Sequence, residues 1–213
     1  KFPDIWKDGV GGAGKNGSES IFEMQCNVGQ NAVNNSSLDN GENWGTSQNV
    51  RQNGAPIEWN LGWGWNTPTD NLVNAWPDED PRKRQTVLFS GQSDGGPAQG
   101  GYGATLPPYT NPDGQGGLAQ KYWNKKVYSD PAMRQYTGFV NASGGARWIN
   151  HRILRYADVI LMLAEAENET GNGAGAATHL EMIRNRASGN LGQSRTILPY
   201  IPFTSQAQMR TAI

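Results

Sequence analysis

Histidine is the side chain most often recruited as general base, nucleophile activator or metal ligand near neutral pH. This 213-residue sequence contains only His151 and His179. His151 stands in a basic run with Arg147, Arg152 and Arg155, and His179 lies in a short helical stretch. Neither belongs to H-E-x-x-H or a related metal-ligand spacing, so each is expected at the surface or in packing. The single cysteine, Cys26, permits no disulfide within the chain and no cysteine-based cluster. With no histidine beside Cys26 and no G-x-S-x-G elbow, nucleophilic catalysis has no visible starting point. Carboxylate pairs are the remaining catalytic option, because glycoside hydrolysis needs two acids at a set separation. Glu19, Glu23, Glu42 and Glu58 are available for it. Glu165, Glu167 and Glu169 spread around a helix instead of converging, which reads as a solvated end with arginine partners. Asp158 follows Arg155 by three positions, the spacing of an ion pair on a helix. No catalytic residue, no metal site and no cofactor site is assigned, and the residues alone leave a carboxylate pair open.

The stretch GVGGAGKNGS (Gly9–Ser18) matches most of the phosphate-loop pattern G-x-x-x-x-G-K-[ST]. The chemistry of that loop requires a buried strand before it and a helix after it, so that backbone N–H groups converge on the anion. Here KFPDIWKD precedes, carrying Pro3 and charged residues, and a strand-like segment follows. Asn16 occupies the position where a hydroxyl would hold magnesium. The segment is therefore read as a loop.

The aromatic residues offer a different chemistry. Sugars present polar rims and apolar C–H faces; indole and phenol rings stack on the faces, while Asn, Gln, Asp and Arg satisfy the hydroxyls. Trp44, Trp59, Trp63, Trp65, Tyr102 and Tyr109 lie in or beside polar, Asn-rich loops and are the candidate ligand contacts. Large aromatics also pin down loops that lack secondary structure, so both roles remain open on composition.

The elements that must position these rings follow from patterning. SESIFEMQCNV (Ser18–Val28) alternates with the period of a half-buried strand, predicting Phe22, Met24, Cys26 and Val28 inward and Glu23, Gln25 and Asn27 outward. Cys26 is thus expected as a small inner-face residue. Gly29 to about Gly62 is rich in Asn, Gly, Ser and Gln. Thr67-Pro68 resembles a helix start, with Leu72, Val73 and Trp76 as an apolar face. DEDPRKR (Asp78–Arg84) reads as a charged turn around Pro81, TVLF (Thr86–Phe89) as a short strand, and Ser90–Gly117 as a long loop. A net charge of −1 and a pI near 6.2 give no general reason to expect nucleic acid or an anionic membrane. No apolar run approaches the roughly 20 residues that span a bilayer.

From Ile149 the character changes. Asn150–Gly171 has strong helix formers and no internal Gly or Pro until Gly171, with Ile153, Tyr156, Ala157, Ile160 and Ala164 on one face. A second helix is expected at about Gly175–Ser188, with Ala176, Leu180, Ile183 and Ala187 on one face and Arg184 and Arg186 complementing its dipole. The pair has the dimensions of one tetratricopeptide-type unit, which cannot bury its face alone. Ser205 with Gln208 makes a capping box, followed by Met209 and Ile213 on one side. A chain opening at Lys1 and closing within a helical pattern reads as a piece of a longer protein.

At RYADVILMLAEAENETG (Arg155–Gly171) and HLEMIRNRAS (His179–Ser188) the chain closely resembles the SusD/RagB family of Bacteroidetes outer-membrane lipoproteins, whose pattern is close to RYADVLLMYAEALNE…G and LN-x-VR-x-RA. SESIFEMQ (Ser18–Gln25), GWGWNTPTDNLVNAW (Gly62–Trp76), DPRKRQTV (Asp80–Val87) and Lys121-Tyr122 resemble further family motifs in the expected order. The resemblance implies a mainly α fold: SusD-like tetratricopeptide-type helix pairs with a loop-rich region containing short strands. It divides the chain into a loop-rich ligand-binding region, 1–148, and a helical region, 149–213, both parts of one domain. It implies a non-catalytic glycan-binding role in polysaccharide utilisation at the extracellular face of the outer membrane. A SusC-like TonB-dependent β-barrel is the implied transport partner, and the implied lipid anchor lies outside this chain. Tyr156, Asp158, Glu165, Arg184 and Arg186 read as scaffold. The rival readings are a peptide-binding RagB-like member of the same family and, further off, a glycoside hydrolase.

Overall fold

A computed structural model of the chain describes residues 5–6, 14–26, 43–54, 58–110, 116–131 and 150–213. Residues 9–13 of the glycine-rich stretch, Asn27 and Val28 of the expected strand, Glu42, Arg147 and the expected boundary at 148–149 lie outside the described residues, as does the side chain of Trp44. In chain order the elements are β1 (Ser20–Met24), α1 (Asn43–Gln48), α2 (Asp70–Asn74), α3 (Pro81–Thr86), β2 (Val87–Phe89), β3 (Tyr122–Asn124), β4 (His151–Arg155), α4 (Tyr156–Glu169), α5 (Gly173–Ala187) and α6 (Gln206–Ala212). Helices dominate the regular structure and the strands are short, the mainly α, loop-rich class expected. Two compact units result: Lys1–Gly17, Met24–Pro77 and Lys83–His151 form the first, and Ser18–Glu23, Asp78–Arg82 and Arg152–Ile213 the second.

The first unit is held by a core that loops close around a two-stranded sheet. β2 and β3 pair antiparallel, with Leu88 opposite Trp123 and Phe89 opposite Tyr122. Trp123 is fully enclosed and packs with Val50, Leu61, Leu88, Leu106, Leu118 and Tyr128. Its indole N–H donates to the Ser90 hydroxyl at 3.0 Å, meeting the one polar requirement of the buried ring. The loops satisfy their backbone groups against each other: Leu61 N–H donates to Val50 O at 2.9 Å, Asn53 N–H to Gly117 O at 2.9 Å, and Ala119 N–H to Arg51 O at 3.1 Å. These segments are irregular yet fully bonded.

Asp94 organises the turn that follows β2. Its buried carboxylate accepts the backbone N–H groups of Gly96, Tyr102 and Gly103 at 2.9, 2.7 and 3.1 Å, and the Tyr128 hydroxyl at 3.2 Å. Burial pushes this carboxyl up, but the N–H groups of Tyr102, Gly96 and Gly103 outweigh burial and hold it below the ordinary carboxylate range. A Cβ at Gly101 would lie 2.5 Å from the Asp94 carboxyl carbon, so only glycine fits there. Beneath the turn, buried Lys125 donates to the carbonyls of Arg84 and Asp94 at 2.9 and 2.5 Å. Burial pushes its ammonium down to about 8, with Asp94 opposing the shift.

The second unit is a helix pair with a third helix laid against it. α4 and α5 are joined by Thr170–Asn172, a link short enough to make them antiparallel neighbours. Ala157, Ile160 and Ala164 are buried on α4, and Ala176, Ala177 and Leu180 on α5. Met209 of α6 is fully buried against the α5 residues, with Leu161, Ala212 and Ile213 packed around them. Asn168 and Gln206 exchange side-chain-to-backbone hydrogen bonds, each 3.0 Å, locking α4 to the start of α6. Ser205 caps α6 as expected, accepting Gln208 N–H at 3.1 Å. Arg186 reaches Glu19, and Arg195 forks onto Glu181 at 2.6 and 2.9 Å.

Several local expectations are corrected. α4 starts at Tyr156; His151–Arg155, expected as its first turns, is instead β4, paired with β1. Asp158 is the reason: its carboxylate accepts Arg155 N–H at 2.9 Å and pairs with the Arg155 guanidinium at 2.9 Å, fixing the helix start there. That contact is the expected ion pair, with Arg155 itself extended rather than helical. Ile153 and Tyr156 are consequently exposed. The expected faces of β1 are inverted: Phe22 and Met24 are exposed, and Glu23 is buried with Arg152, their side chains 3.7 Å apart and each 2% exposed. The opposite charge of Arg152 offsets part of the desolvation penalty of burying Glu23. Cys26 does lie inward. α2 begins at Asp70 with Thr69 as cap, two residues beyond the expected Thr67, leaving Leu72 exposed and Val73 buried. Pro81 opens a helix, the position where a missing N–H costs nothing, rather than a turn. α5 begins at Gly173 with Asn172 as cap, so Gly173–Gly175 is helix and not linker.

Candidate functional site

The aromatic candidates fall into two groups. Trp59 and Tyr102 are half-buried and pack against the core of the first unit. Trp59 N–H is held by the Gln52 side chain at 2.9 Å. The Tyr102 ring meets Tyr128 edge-on at 5.3 Å, with its hydroxyl 3.4 Å from Tyr128 O. Trp63, Trp65 and Tyr109 instead stand out, 40%, 61% and 41% exposed.

The backbone explains why two indoles are displayed together. Gly64 N–H donates to Asn49 O at 3.0 Å and Trp65 N–H to Ser47 O at 2.9 Å, so the segment lies flat on its neighbour. Gly64 adopts φ +69°, and a Cβ there would sit 3.0 Å from both Arg51 Cβ and Trp123 Cζ3. A glycine therefore turns the middle residue against the core while its flanking residues face out. Trp63 and Trp65 stack at 6.0 Å between ring centroids with planes 24° apart. The Arg51 guanidinium lies over Trp63 at 5.8 Å from its centroid.

The same segment continues into a groove. Thr67–Asp70 forms one wall and Gln120–Tyr122 another, with Tyr109 completing a space of about 340 Å³. The Tyr122 hydroxyl donates to Asp70 at 3.0 Å, and that bond raises the phenol above its ordinary range. Phe89 supports the Tyr122 ring edge-on at 5.5 Å. Lys121 supplies an exposed ammonium to this lining. Polar side chains around accessible rings can grip a ligand with both apolar faces and hydroxyls.

Elsewhere, several of the groups singled out for chemistry are engaged in structure, while Glu58 is exposed. Lys15 of the phosphate-loop-like stretch donates to Cys26 O, and Asn16 exchanges amide hydrogen bonds with Gln25 at 3.0 and 2.9 Å. Glu19 and Glu23 pair with arginines. His179 Nδ1 is 2.6 Å from Glu167, and Glu169 pairs with Arg210. Among the described residues no His/Cys/Asp/Glu group could hold a metal ion, and no helix is long and apolar enough to cross a membrane.

Arg51 lies over Trp63, and Lys121 and Tyr122 line the groove, although their sequence context does not mark them as contacts. Lys121-Tyr122 was visible only as a family-like dipeptide. Arg51 carries no local signal, since its neighbour Trp63 is brought to it by the fold.

The family model described as the SusD family matches residues 5–213. No curated protein sequence matches the chain. Among solved structures, the surface glycan-binding protein A from Bacteroides uniformis aligns with TM-score 0.59 and 18% identity, over 100% of this chain and 36% of that one. A surface glycan-binding protein A from Bacteroides thetaiotaomicron in complex with laminarihexaose aligns with TM-score 0.55 and 16% identity, over 100% of this chain and 42% of that one. A SusD-like protein from Bacteroides fragilis aligns with TM-score 0.57 and 23% identity, over 98% and 41% respectively. The likeness is one of fold, and the chain spans less than half the length of these structures.

Proposed function

The chain belongs to the SusD family, and from that premise we propose that it is a non-catalytic glycan-binding protein whose contact surface is the Trp63–Trp65 pair and the adjoining Tyr109 groove. The observation that carries this reading is the exposed, stacked indole pair held by Gly64 on an otherwise well-buried core. Indoles are costly to display to water, and a rigid pair offers stacking area that loses little entropy when a sugar ring settles on it. Thr67, Thr69, Gln120 and Asp70 supply hydroxyl, amide and carboxylate partners beside it. Trp59 and Tyr102 support these loops from below, and Trp44 remains a candidate contact. Relatives described as surface glycan-binding proteins, one holding laminarihexaose, support the ligand class. The ion pairs of Glu19 and Glu23 support a role without bond cleavage.

In this proposal the loop-rich region, 1–148, captures the ligand and the helical region is its platform. The whole protein sits at the extracellular face of the outer membrane through a lipid anchor and delivers oligosaccharides to a SusC-like TonB-dependent barrel. Affinity electrophoresis in gels containing a panel of neutral and anionic polysaccharides tests the binding step. Retention in at least one gel is expected, falling tenfold or more with Trp63→Ala and Trp65→Ala, with helical circular dichroism unchanged. Retention indifferent to both substitutions, binding to a peptide library instead, or release of reducing sugar would overturn it.

A further inference from the structure

We propose that this face selects anionic glycans, those whose sugar rings carry carboxylate or sulfate groups; the inference rests on the glycan-binding reading above. It begins with an asymmetry among the arginines. Arg82, Arg155, Arg186, Arg195 and Arg210 each pair with a carboxylate. Among the described residues Arg51, Arg84 and Arg184 form no salt bridge; Arg84 donates to Gln92 and Arg184 to Pro199 O, whereas the Arg51 guanidinium lies over Trp63, 5.8 Å from the ring centroid. A guanidinium held near a ring without a carboxylate partner retains its N–H donors, and the guanidinium fork is the geometry that grips carboxylate or sulfate oxygens. It stands beside the rings on which a sugar would lie.

The second cation is Lys121. It is exposed on the groove lining and likewise forms no ion pair among the described residues. Arg51 and the bend leading to Lys121 are tied by the Ala119 N–H bond to Arg51 O, 3.1 Å. The groove's acid, Asp70, accepts the Tyr122 hydroxyl at 3.0 Å. Indoles with Arg51 beside them and a groove carrying Lys121, neither cation in an ion pair among the described residues, favour a ligand with apolar faces and repeated negative charge. Because the chain as a whole carries a net charge of −1, that preference is local and owes nothing to a general basic surface.

The test compares each anionic polymer with its own neutralised form. Polygalacturonate is paired with its carboxyl-reduced product, and chondroitin sulfate with its desulfated product, in affinity electrophoresis and calorimetry with the 213-residue chain. Retention by one anionic member is expected, weakening about tenfold on neutralisation, and which pair responds assigns carboxylate or sulfate. Arg51→Met, which keeps the aliphatic stem over Trp63, should reproduce that loss. Lys121→Met should lower binding less, and both variants should flatten the salt dependence. Equal binding of charged and neutralised polymers, or Arg51→Met without effect, overturns the charge selection. If Trp63→Ala still abolishes that binding, the glycan-binding reading stands without it. Absence of binding to every polymer, neutral or anionic, overturns both.

Discussion

At the scale of single residues, side chains divide into those that build the scaffold and those that the proposed function assigns to a ligand. Asp94 belongs to the first kind. Its carboxylate gathers the N–H groups of Gly96, Tyr102 and Gly103 and the Tyr128 hydroxyl. Asp94→Asn keeps the shape but removes the charge those donors converge on, and should cost about 2 kcal/mol at pH 7 by urea unfolding. Because the folded carboxyl titrates below its ordinary range, its contribution is complete above an unfolded pKa of about 3.9 and is lost as pH falls through the lower folded value. The variant's stability should therefore change less than the parent's between pH 5 and about pH 2. Equal acid sensitivity in both proteins would show that Asp94 does not organise the turn. Glu23 gives the complementary lesson. Period-two patterning pointed it outward, yet Arg152, distant in sequence, faces it and draws it into the interior. Alternation registers apolarity and has no means of seeing such a partner.

At the scale of elements, the helices were the legible part and the strand preceding α4 was not. Ala157, Ile160, Ala164, Ala176 and Leu180 repeat at helical spacing and are buried as that spacing requires. The same periodicity runs back through Ile153, so only the cap at Asp158 reveals where the helix begins. Asp158→Ala removes both the Arg155 N–H acceptor and the ion pair and should lower stability by about 1 kcal/mol. Glycan retention should be unchanged, since the substitution lies in the helical unit and the proposed contacts in the other. A stability loss accompanied by loss of retention would argue that the helical unit itself carries the ligand. The loop-rich unit was the harder reading. Trp59 and Trp63 sit four positions apart in the same kind of polar sequence, and one packs on the core while the other faces solvent. The difference arises from Val50, Gln52 and Asn49, which a linear pattern does not bring near. Tyr109 was recognised, but the groove it shares with Asp70 and Tyr122 depends on three separate segments meeting.

At the scale of the molecule, a mainly α protein of the SusD family has a packed helical unit and a loop-rich unit tied by backbone hydrogen bonds, and the proposed function assigns the ligand to the loops. In the proposed reading, a chain with a net charge of −1 owes its ligand choice to the few groups around the exposed indoles. The most direct test is isothermal titration of the glycan best retained in the panel against the parent chain and the Trp63→Ala/Trp65→Ala double variant, with a thermal melt of each. Saturable binding with a negative heat-capacity change in the parent, reduced at least tenfold in an equally stable double variant, is the result the account requires. Unaltered affinity in the folded double variant would contradict it.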